Sequence, residues 1–196
     1  SGGLVSDRVF LFFSHSKNFR ETIDPEYKGK RTKRKPVGYK RLLEWCYDHY
    51  KTIRYENVEA DDALGLECHL DPSDFILVSP DKDMKQISCN LFNGDELTYV
   101  TPEEADYWFW RQCLTGDPVS GYKGVPGIGA KGAEKLLAQA EDPWPDAVTT
   151  HETAGLSLDA AIRHGRLARI LRRVEHHSTT HQPTLYNTPP TTASQS

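Results

Sequence analysis

No stretch of this 196-residue chain is apolar for long enough to cross a bilayer as a helix, and its start does not read as a secretory leader. These absences argue against membrane insertion and export, so a cytoplasmic protein with no membrane partner is expected. The cysteines are few: Cys46, Cys68, Cys89 and Cys113. No two of them form a C-x-x-C pair, which argues against a zinc knuckle or a disulfide framework and for reduced core thiols. No internal repeat recurs, so a solenoid is excluded. The length allows one domain, or a core with a small appendage. It leaves the oligomeric state open, with a monomer the simpler expectation.

What is present is charge, unevenly placed. The formal net charge is −4. Residues 17–41 hold ten Lys or Arg against three acids, and residues 59–117 hold fourteen acids against three Lys or Arg. The first block could grip phosphates and the second could collect cations; a solvated basic face and a plain acidic surface are the bland readings of each.

Val9–Phe13 is a continuous β-favouring apolar run, which predicts a buried strand. Residues 14–36 read as a basic loop or mobile helix. Gly38–Tyr50 reads as a helix with Leu42, Leu43, Cys46 and Tyr50 on one stripe. A short strand is expected at Thr52–Tyr55, a helix opening near Glu59, and the clearest buried strand at Phe75–Val78. Asn93-Gly94 predicts a hairpin turn. Thr101-Pro102-Glu103-Glu104 predicts a capped helix start, and that helix should stop near Gly116. Further helices are expected at Ala130–Ala140 and, after a Ser157 cap, at Leu158–Val174. Strands alternating with helices indicate an α/β layered domain with a mostly parallel sheet, whose ligands sit beyond the carboxyl ends of the strands.

Six carboxylates follow apolar segments in three short motifs: Glu59, Asp61 and Asp62; Asp81 and Asp83; and Asp117. Oxygen-only donors suit hard divalent cations. Glu59 and Asp62 share one face of a first helical turn, with Asp61 pointing elsewhere; acids there also simply complement the helix dipole. Gly124-Val125-Pro126-Gly127-Ile128-Gly129-Ala130-Lys131 is a glycine turn leading into a helix. Backbone amides at Gly127 and Gly129 could approach a phosphate, with Lys131 adding a point charge and no base being read. An ordinary helix–turn–helix connection is the competing reading. Acids beside a phosphate clamp predict metal-assisted phosphodiester cleavage.

Val-Glu-Ala-Asp-Asp, Ser-Pro-Asp-Lys-Asp-Met, and Gly-Asp followed by Gly-Val-Pro-Gly-Ile-Gly together resemble the 5′-nucleases. That family includes flap endonucleases, the 5′-nuclease domain of bacterial DNA polymerase I and phage 5′→3′ exonucleases. Asn18-Phe19-Arg20 and Pro25–Arg31 match as well, and the likeness is greatest to exonucleases of podovirus-type phages. The resemblance covers about residues 9–175. It implies a PIN-like nuclease core at residues 1–115 carrying a basic arch segment 17–41. A helix–three-turn–helix DNA-binding region would follow at residues 116–175, and a loose Thr/Pro-rich tail at 176–196. It implies a 5′→3′ exonuclease or flap endonuclease using two Mg²⁺ or Mn²⁺ ions held by Glu59, Asp61, Asp62, Asp81, Asp83 and Asp117. Lys28 and Arg31 would steady the scissile phosphate, so Lys28, Arg31, Glu59 and Asp81 carry the chemistry. Arg20, Tyr27, Lys28, Arg31, Lys33, Arg34, Lys35, Gly127, Gly129 and Lys131 would meet DNA. Carbonyls near Val125 and Ile128 would hold a monovalent cation, K⁺. The implied partner is double-stranded DNA with a 5′ end or flap, with an RNA/DNA hybrid as a further substrate through primer removal.

Three departures stand out. The family's first strand, which ends in a metal-binding Asp-Gly, is missing. Ser14 and Ser120 also occupy positions where the family carries acids. A fragment or a diverged member with impaired cleavage is therefore expected, since fewer carboxylates offset less cation charge. A non-catalytic DNA-binding module of the same fold and a PIN-type ribonuclease are the alternatives. Arg163, Arg166, Arg169 and Arg173 make a basic stripe that suits a DNA backbone or solvent equally. His176, His177 and His181 could take zinc but sit in the tail, and Trp108 and Trp110 read as core rather than base-stacking platforms.

Overall fold

The computed structural model of the protein describes residues 8–29, 34–68, 75–172, 176–177 and 182–183, the last two pairs by backbone alone. The first apolar run becomes β1 (Phe10–Phe12), followed by α1 (Arg20–Ile23), α2 (Tyr39–His49) and β2 (Lys51–Ile53). Next come α3 (Ala60–Cys68), β3 (Ile76–Val78), a 3₁₀ turn (Lys82–Gln86), β4 (Asn90–Phe92) and β5 (Leu97–Tyr99). The later part is α4 (Pro102–Thr115), β6 (Gly116–Asp117), β7 (Tyr122–Lys123), α5 (Ala130–Leu137), α6 (Pro143–Thr153) and α7 (Leu158–Ala168). In the tail, β8 (His176–His177) pairs antiparallel with β9 (Gln182–Pro183), a short ladder where a loose tail is expected.

Parallel pairing is present, but not as one sheet. β1 pairs β2 in parallel, β3 pairs β4 in parallel, and β5 joins β4 antiparallel through the Asn93-Gly94 turn. The described strands thus form three pairs, with β6 and β7 antiparallel, and a triplet rather than a continuous sheet. Two strands expected to be buried are not. Val9, Phe10, Ile76 and Val78 are exposed, and Leu77 alone of β3 is buried, because single ladders cover few faces of these strands. The stripe of α2 is only partly covered: the helix has no fully buried residue, Leu43 and Cys46 are half-buried, and Leu42 with Tyr50 just after the helix face solvent.

The packing centre is α4. Its start is the expected capping box: Thr101 Oγ1 accepts from the Glu104 amide at 3.2 Å while Glu104 accepts from the Thr101 amide at 2.9 Å. Phe109, Trp110, Cys113 and Leu114 pack with Tyr122, Val125, Ala133, Ala147 and Leu167 in one cluster. Ala105 belongs to a second cluster with Leu77, Met84, Ile87, Leu91, Val100 and Ile170. α7 ends at Ala168 rather than running to Val174, and Ile170 and Leu171 then bury themselves against the α3 side. Cys68, Cys89 and Cys113 are buried free thiols and Cys46 is half-buried. Among the described residues no helix is long and apolar enough to cross a membrane.

α6 was not legible in the sequence, where two prolines and a Thr pair obscure the helical period. Asp142 caps it through the Trp144 amide at 3.1 Å, and both prolines fall in the first turn, where an amide donor is not needed. α6 places His151 against His164 of α7. His151 Nδ1 lies 2.7 Å from the Ala147 carbonyl and its Nε2 lies 3.0 Å from His164 Nδ1. Burial pushes both imidazoles down; for His164, burial, then His151 and Arg163, bring it to about 4.

A base depressed in the folded state stabilises the fold above its unfolded value and loses that contribution as pH falls through the folded value. Unfolding free energy should therefore fall from pH 6.5, the ordinary histidine value, toward about 4, by on the order of 2–3 kcal/mol for the pair. Urea unfolding of the native protein and of His164→Gln across that range checks this. The variant should show the shallower slope, and identical slopes would refute it.

Candidate functional site

The site is built around the start of α3. Glu59 leads the helix, its carbonyl accepting from the Ala63 amide at 3.1 Å. Ser14 Oγ accepts from the Ala60 amide at 3.1 Å, and Asp62 Oδ2 accepts from the Glu59 amide at 3.1 Å. Short oxygen acceptors thus satisfy backbone donors that the helix start would otherwise leave orphaned. Ser14, one of the positions where the resemblance expects an acid, serves here as a helix cap.

Asp62 is turned inward. It is completely buried, and its two oxygens receive the Arg20 guanidinium at 2.7 and 2.8 Å. Oδ1 also accepts from the Leu171 amide at 3.2 Å. Arg20 in turn donates to the Leu167 carbonyl at 3.0 Å and to the Arg169 carbonyl, and lies against the Phe19 ring. Burial alone would lower Arg20; the Asp62 carboxylate outweighs it and raises the guanidinium. This geometry corrects two expectations. Asp62 has both oxygens bonded within the protein, and Arg20, 3% exposed, spends four of its N–H donors on Asp62 and two backbone carbonyls, with Nη1 also 3.5 Å from Glu59. The sequence pattern that put Glu59 and Asp62 on one face is right, but that face meets Arg20, leaving Asp61 toward the cleft. Tyr27 is corrected too: it is buried, and its hydroxyl donates to Glu59 Oε2 at 2.9 Å rather than offering a ring to a base.

Glu59 Oε1 meets Lys28 Nζ in a close ion pair, and Lys28 holds a left-handed backbone at φ 54°, with its amide bonded to the Ser120 carbonyl at 2.8 Å. Burial would raise Glu59, but Arg20 and Lys28 hold its carboxyl below the usual value. These groups wall a cavity of about 30 Å³ together with Asp61 and Asp83, room for a water or an ion. Burial, then the charges of Glu59 and Asp62, push the Asp61 carboxyl up to about 6, with Asp81 adding to the rise. Burial, then Asp81 and Asp117, raise Asp83. Asp81 is exposed at the rim, where its Oδ1 caps the 3₁₀ turn through the Asp83 amide at 3.0 Å. Asp117 is buried, its Oδ1 accepting from the Val119 amide at 3.1 Å.

Asp61, Asp81, Asp83 and Asp117, drawn from three chain segments, therefore feel one another's charge. All donors are oxygen, and the burial and neighbouring negative charge that raise Asp61 and Asp83 are what a cation would offset, so the donor set fits a hard divalent ion. Their spacing is looser than a closed nest: among the described residues no three His, Cys, Asp or Glu side chains are grouped so as to hold a metal ion.

The glycine turn forms as expected and leads into α5. Val125 donates to the Leu114 carbonyl at 2.8 Å, and the Val125 carbonyl accepts from the Ile128 amide at 3.1 Å, closing the turn into α5. Gly127 (φ 81°) and Gly129 are exposed, a Cβ at either would meet nothing within 4 Å, and no side chain caps α5. Lys131 is exposed on its first turn. Gly124 is different: its Cβ would stand 2.2 Å from the Leu114 carbonyl oxygen, where the backbone crosses Gly116. Gly124→Ala should therefore cost about 1–3 kcal/mol through forced backbone movement, while Gly127→Ala should cost less, on the order of 1 kcal/mol. Thermal unfolding of the two variants gives the order.

Arg34 and Lys35 are exposed, Lys35 lying over the Tyr39 ring, whereas Arg31 and Lys33 lie outside the described residues. The arginine stripe is partly spent on the protein itself: Arg163 pairs with Asp24 at 3.7 Å and Arg169 with Asp106 at 3.9 Å. Arg173 and His181 fall outside the described residues, as do the side chains of His176 and His177. Sequence reasoning missed Gln86, Gln112 and Tyr122, which line the cavity. Gln112 bonds both Gln86 and Asp83. The Tyr122 hydroxyl is buried with no partner among the described residues. Only its place two residues after Ser120 hinted at such a role.

The chain is 34% identical over 215 residues to the exodeoxyribonuclease of Enterobacteria phage T3, covering 88% of this chain and 70% of that protein. It is 32% identical over 216 residues to the exonuclease of Escherichia phage T7, covering 86% and 70%. A crystal structure of the T5 D15 flap endonuclease in a pseudo-enzyme–product complex with DNA and metal ions superposes with a TM-score of 0.63 at 20% identity, covering 83% of this chain and 74% of that one. No protein-family model matches the chain.

Proposed function

The chain belongs to the 5′-nuclease family, and from that premise we propose that it is a 5′→3′ exonuclease and flap endonuclease acting on DNA phosphodiesters with divalent metal. The observation that carries this reading is the cavity in which Asp61 and Asp83, from separate elements, face Lys28 and Glu59. Asp61, Asp81 and Asp83 would hold the metal, with Glu59 and Asp117 behind them. Bound there, Mg²⁺ or Mn²⁺ would supply Lewis-acid stabilisation of charge on the phosphoryl oxygens, by one ion or by two.

The chain's own residues do the rest. Lys28 Nζ, held at the cavity wall by Glu59, exchanges that carboxylate for a non-bridging phosphate oxygen, with Arg31 as a second basic group. Tyr27 donates its hydroxyl proton to Glu59 Oε2 and keeps that carboxylate oriented when Lys28 leaves. Gln112 orients Asp83. Water adds to phosphorus as the P–O bond to the neighbouring nucleotide breaks, and a proton from that water passes through solvent to the departing oxygen, leaving one phosphomonoester end and one hydroxyl end. The exposed amides of Gly127 and Gly129, with Lys131 and the basic arch, hold the duplex by its backbone, and K⁺ at the Val125 and Ile128 carbonyls would steady the turn. Ser14 and Ser120 in place of acids lower the ligand charge, so a raised metal requirement is expected. Double-stranded DNA with a 5′ end or flap is the proposed partner, and primer RNA on DNA a second substrate.

The test is digestion of a duplex labelled at either the 5′ or the 3′ end, with Mg²⁺ and with EDTA. Early release of the 5′ label, abolished by EDTA, is expected. Chelator-insensitive cutting or shortening from the 3′ end would overturn the proposal. The loose spacing of the acids favours one rival, a DNA-binding module without turnover, and binding without any cutting at high Mg²⁺ would establish it.

A further inference from the structure

The strongly acidic stretch 59–117 contains three basic residues, Lys82, Lys85 and Arg111, and the fold brings Lys85 and Arg111 to one indole. Lys85 Nζ lies 4.9 Å from the centroid of the Trp108 ring and Arg111 Cζ lies 5.0 Å from it. Lys82 and Arg111 line, with Trp108, a second cavity of about 30 Å³. Among the described residues none of the three cations is ion-paired with an acid. Lys82 lies near enough to Asp83 for its charge to oppose the rise of that carboxyl, whereas Lys85 and Arg111 stand against an aromatic face. That contact restrains their long side chains while leaving N–H donors unspent.

The two cavities share a wall: Asp83, Gln86 and Gln112 line both. A strand whose scissile phosphate lies at Asp61 and Asp83 therefore has its neighbouring phosphates within reach of Lys82 and Arg111. The pocket holds two cations, two carboxamides and one acid that already faces the first cavity, a setting that suits a singly charged phosphodiester oxygen. With Lys85 and Arg111 against the ring, Trp108 serves to anchor cations rather than to stack a base.

We propose that Lys82 and Arg111, the latter anchored on Trp108, form a phosphate subsite for the nucleic-acid strand, holding a backbone phosphate next to the one that is cut. This rests on the reading that the acidic cavity cuts a strand, but it is tested by binding alone. The phosphate could also belong to a released 5′-mononucleotide, and the experiment separates the two sources.

Anisotropy of a fluorescent 5′-flap duplex is measured with the full chain in EDTA, from about 50 to 200 mM KCl, where phosphate contacts dominate the salt dependence. For Lys82→Ala/Arg111→Ala the Kd should rise roughly tenfold, and the slope of log Kd against log salt should fall by about 1–2. Arg111→Lys should restore most of the slope. A methylphosphonate placed singly along the strand should weaken the native protein at one linkage beside the cut, and there the double variant should lose nothing further. An unchanged slope in a folded double variant overturns the proposal. So does a loss that is the same whichever linkage is neutralised, or a loss confined to competition by 5′-mononucleotide. If the native protein binds with the expected slope but never cuts, the nuclease reading fails while the subsite stands. No duplex binding at all overturns both.

Discussion

Asp62→Ala should cost the fold about 3–5 kcal/mol, the largest single loss expected of any acid in the chain. Removing this carboxylate leaves the Arg20 guanidinium buried without its partner, and also strips acceptors from the Glu59 and Leu171 amides. The pair itself is not inherently stabilising, because desolvation of two charges offsets most of their attraction. Replacing both at once, as Arg20→Met with Asp62→Leu, should therefore recover a large part of the loss. Urea unfolding of the two single variants and the double variant closes the cycle. The experiment also decides between roles. A metal ligand would give an alanine variant of near-native stability without metal and a weaker response to added Mg²⁺. A structural anchor gives the opposite pattern, with the loss present in EDTA.

Asp81→Ala/Asp83→Ala should lower single-turnover cleavage by about 10²–10³-fold or more, the size expected when electrostatic groups are removed from a reacting centre. DNA affinity should hold or improve, since two negative charges leave the path of a polyanion. Asp81 is exposed and Asp83 half-buried, and their side chains serve only the cap of the short 3₁₀ turn and the bond to Gln112, so the fold should tolerate the change. Rates from a 5′-labelled duplex, read beside anisotropy titrations, separate the two effects. Unchanged turnover would remove these acids from the mechanism, and a parallel collapse of affinity and unfolding midpoint would mean that they hold the turn together instead.

Much of the local structure was legible in advance because it is encoded within a few residues. The Thr101 capping box, the Asn93-Gly94 turn, the Ser157 cap and the glycine turn into α5 each depend on neighbours in sequence. α6 escaped because its signals are local but weak, with two prolines that are harmless only once they occupy a first turn. Burial was the less readable property. Val9, Ile76 and Val78 have the composition of core strands, yet their exposure depends on which strands and helices lie alongside, and that is not a property of the run itself.

The acids show the same division. Their chemistry, their order and their spacing along the chain suggest a candidate hard-cation site and a candidate phosphate-binding turn, and sequence alone carries that far, because oxygen donors and glycine backbones are identities rather than arrangements. Which acid does which task was decided in three dimensions. Asp61 and Asp62 are adjacent and chemically identical; helical rotation turns one to a cleft and the other to a buried arginine from residue 20. Lys85 and Arg111, two of the three cations of the acidic block, meet on Trp108 only after the 3₁₀ turn packs against α4, a convergence of distant residues that no periodicity encodes.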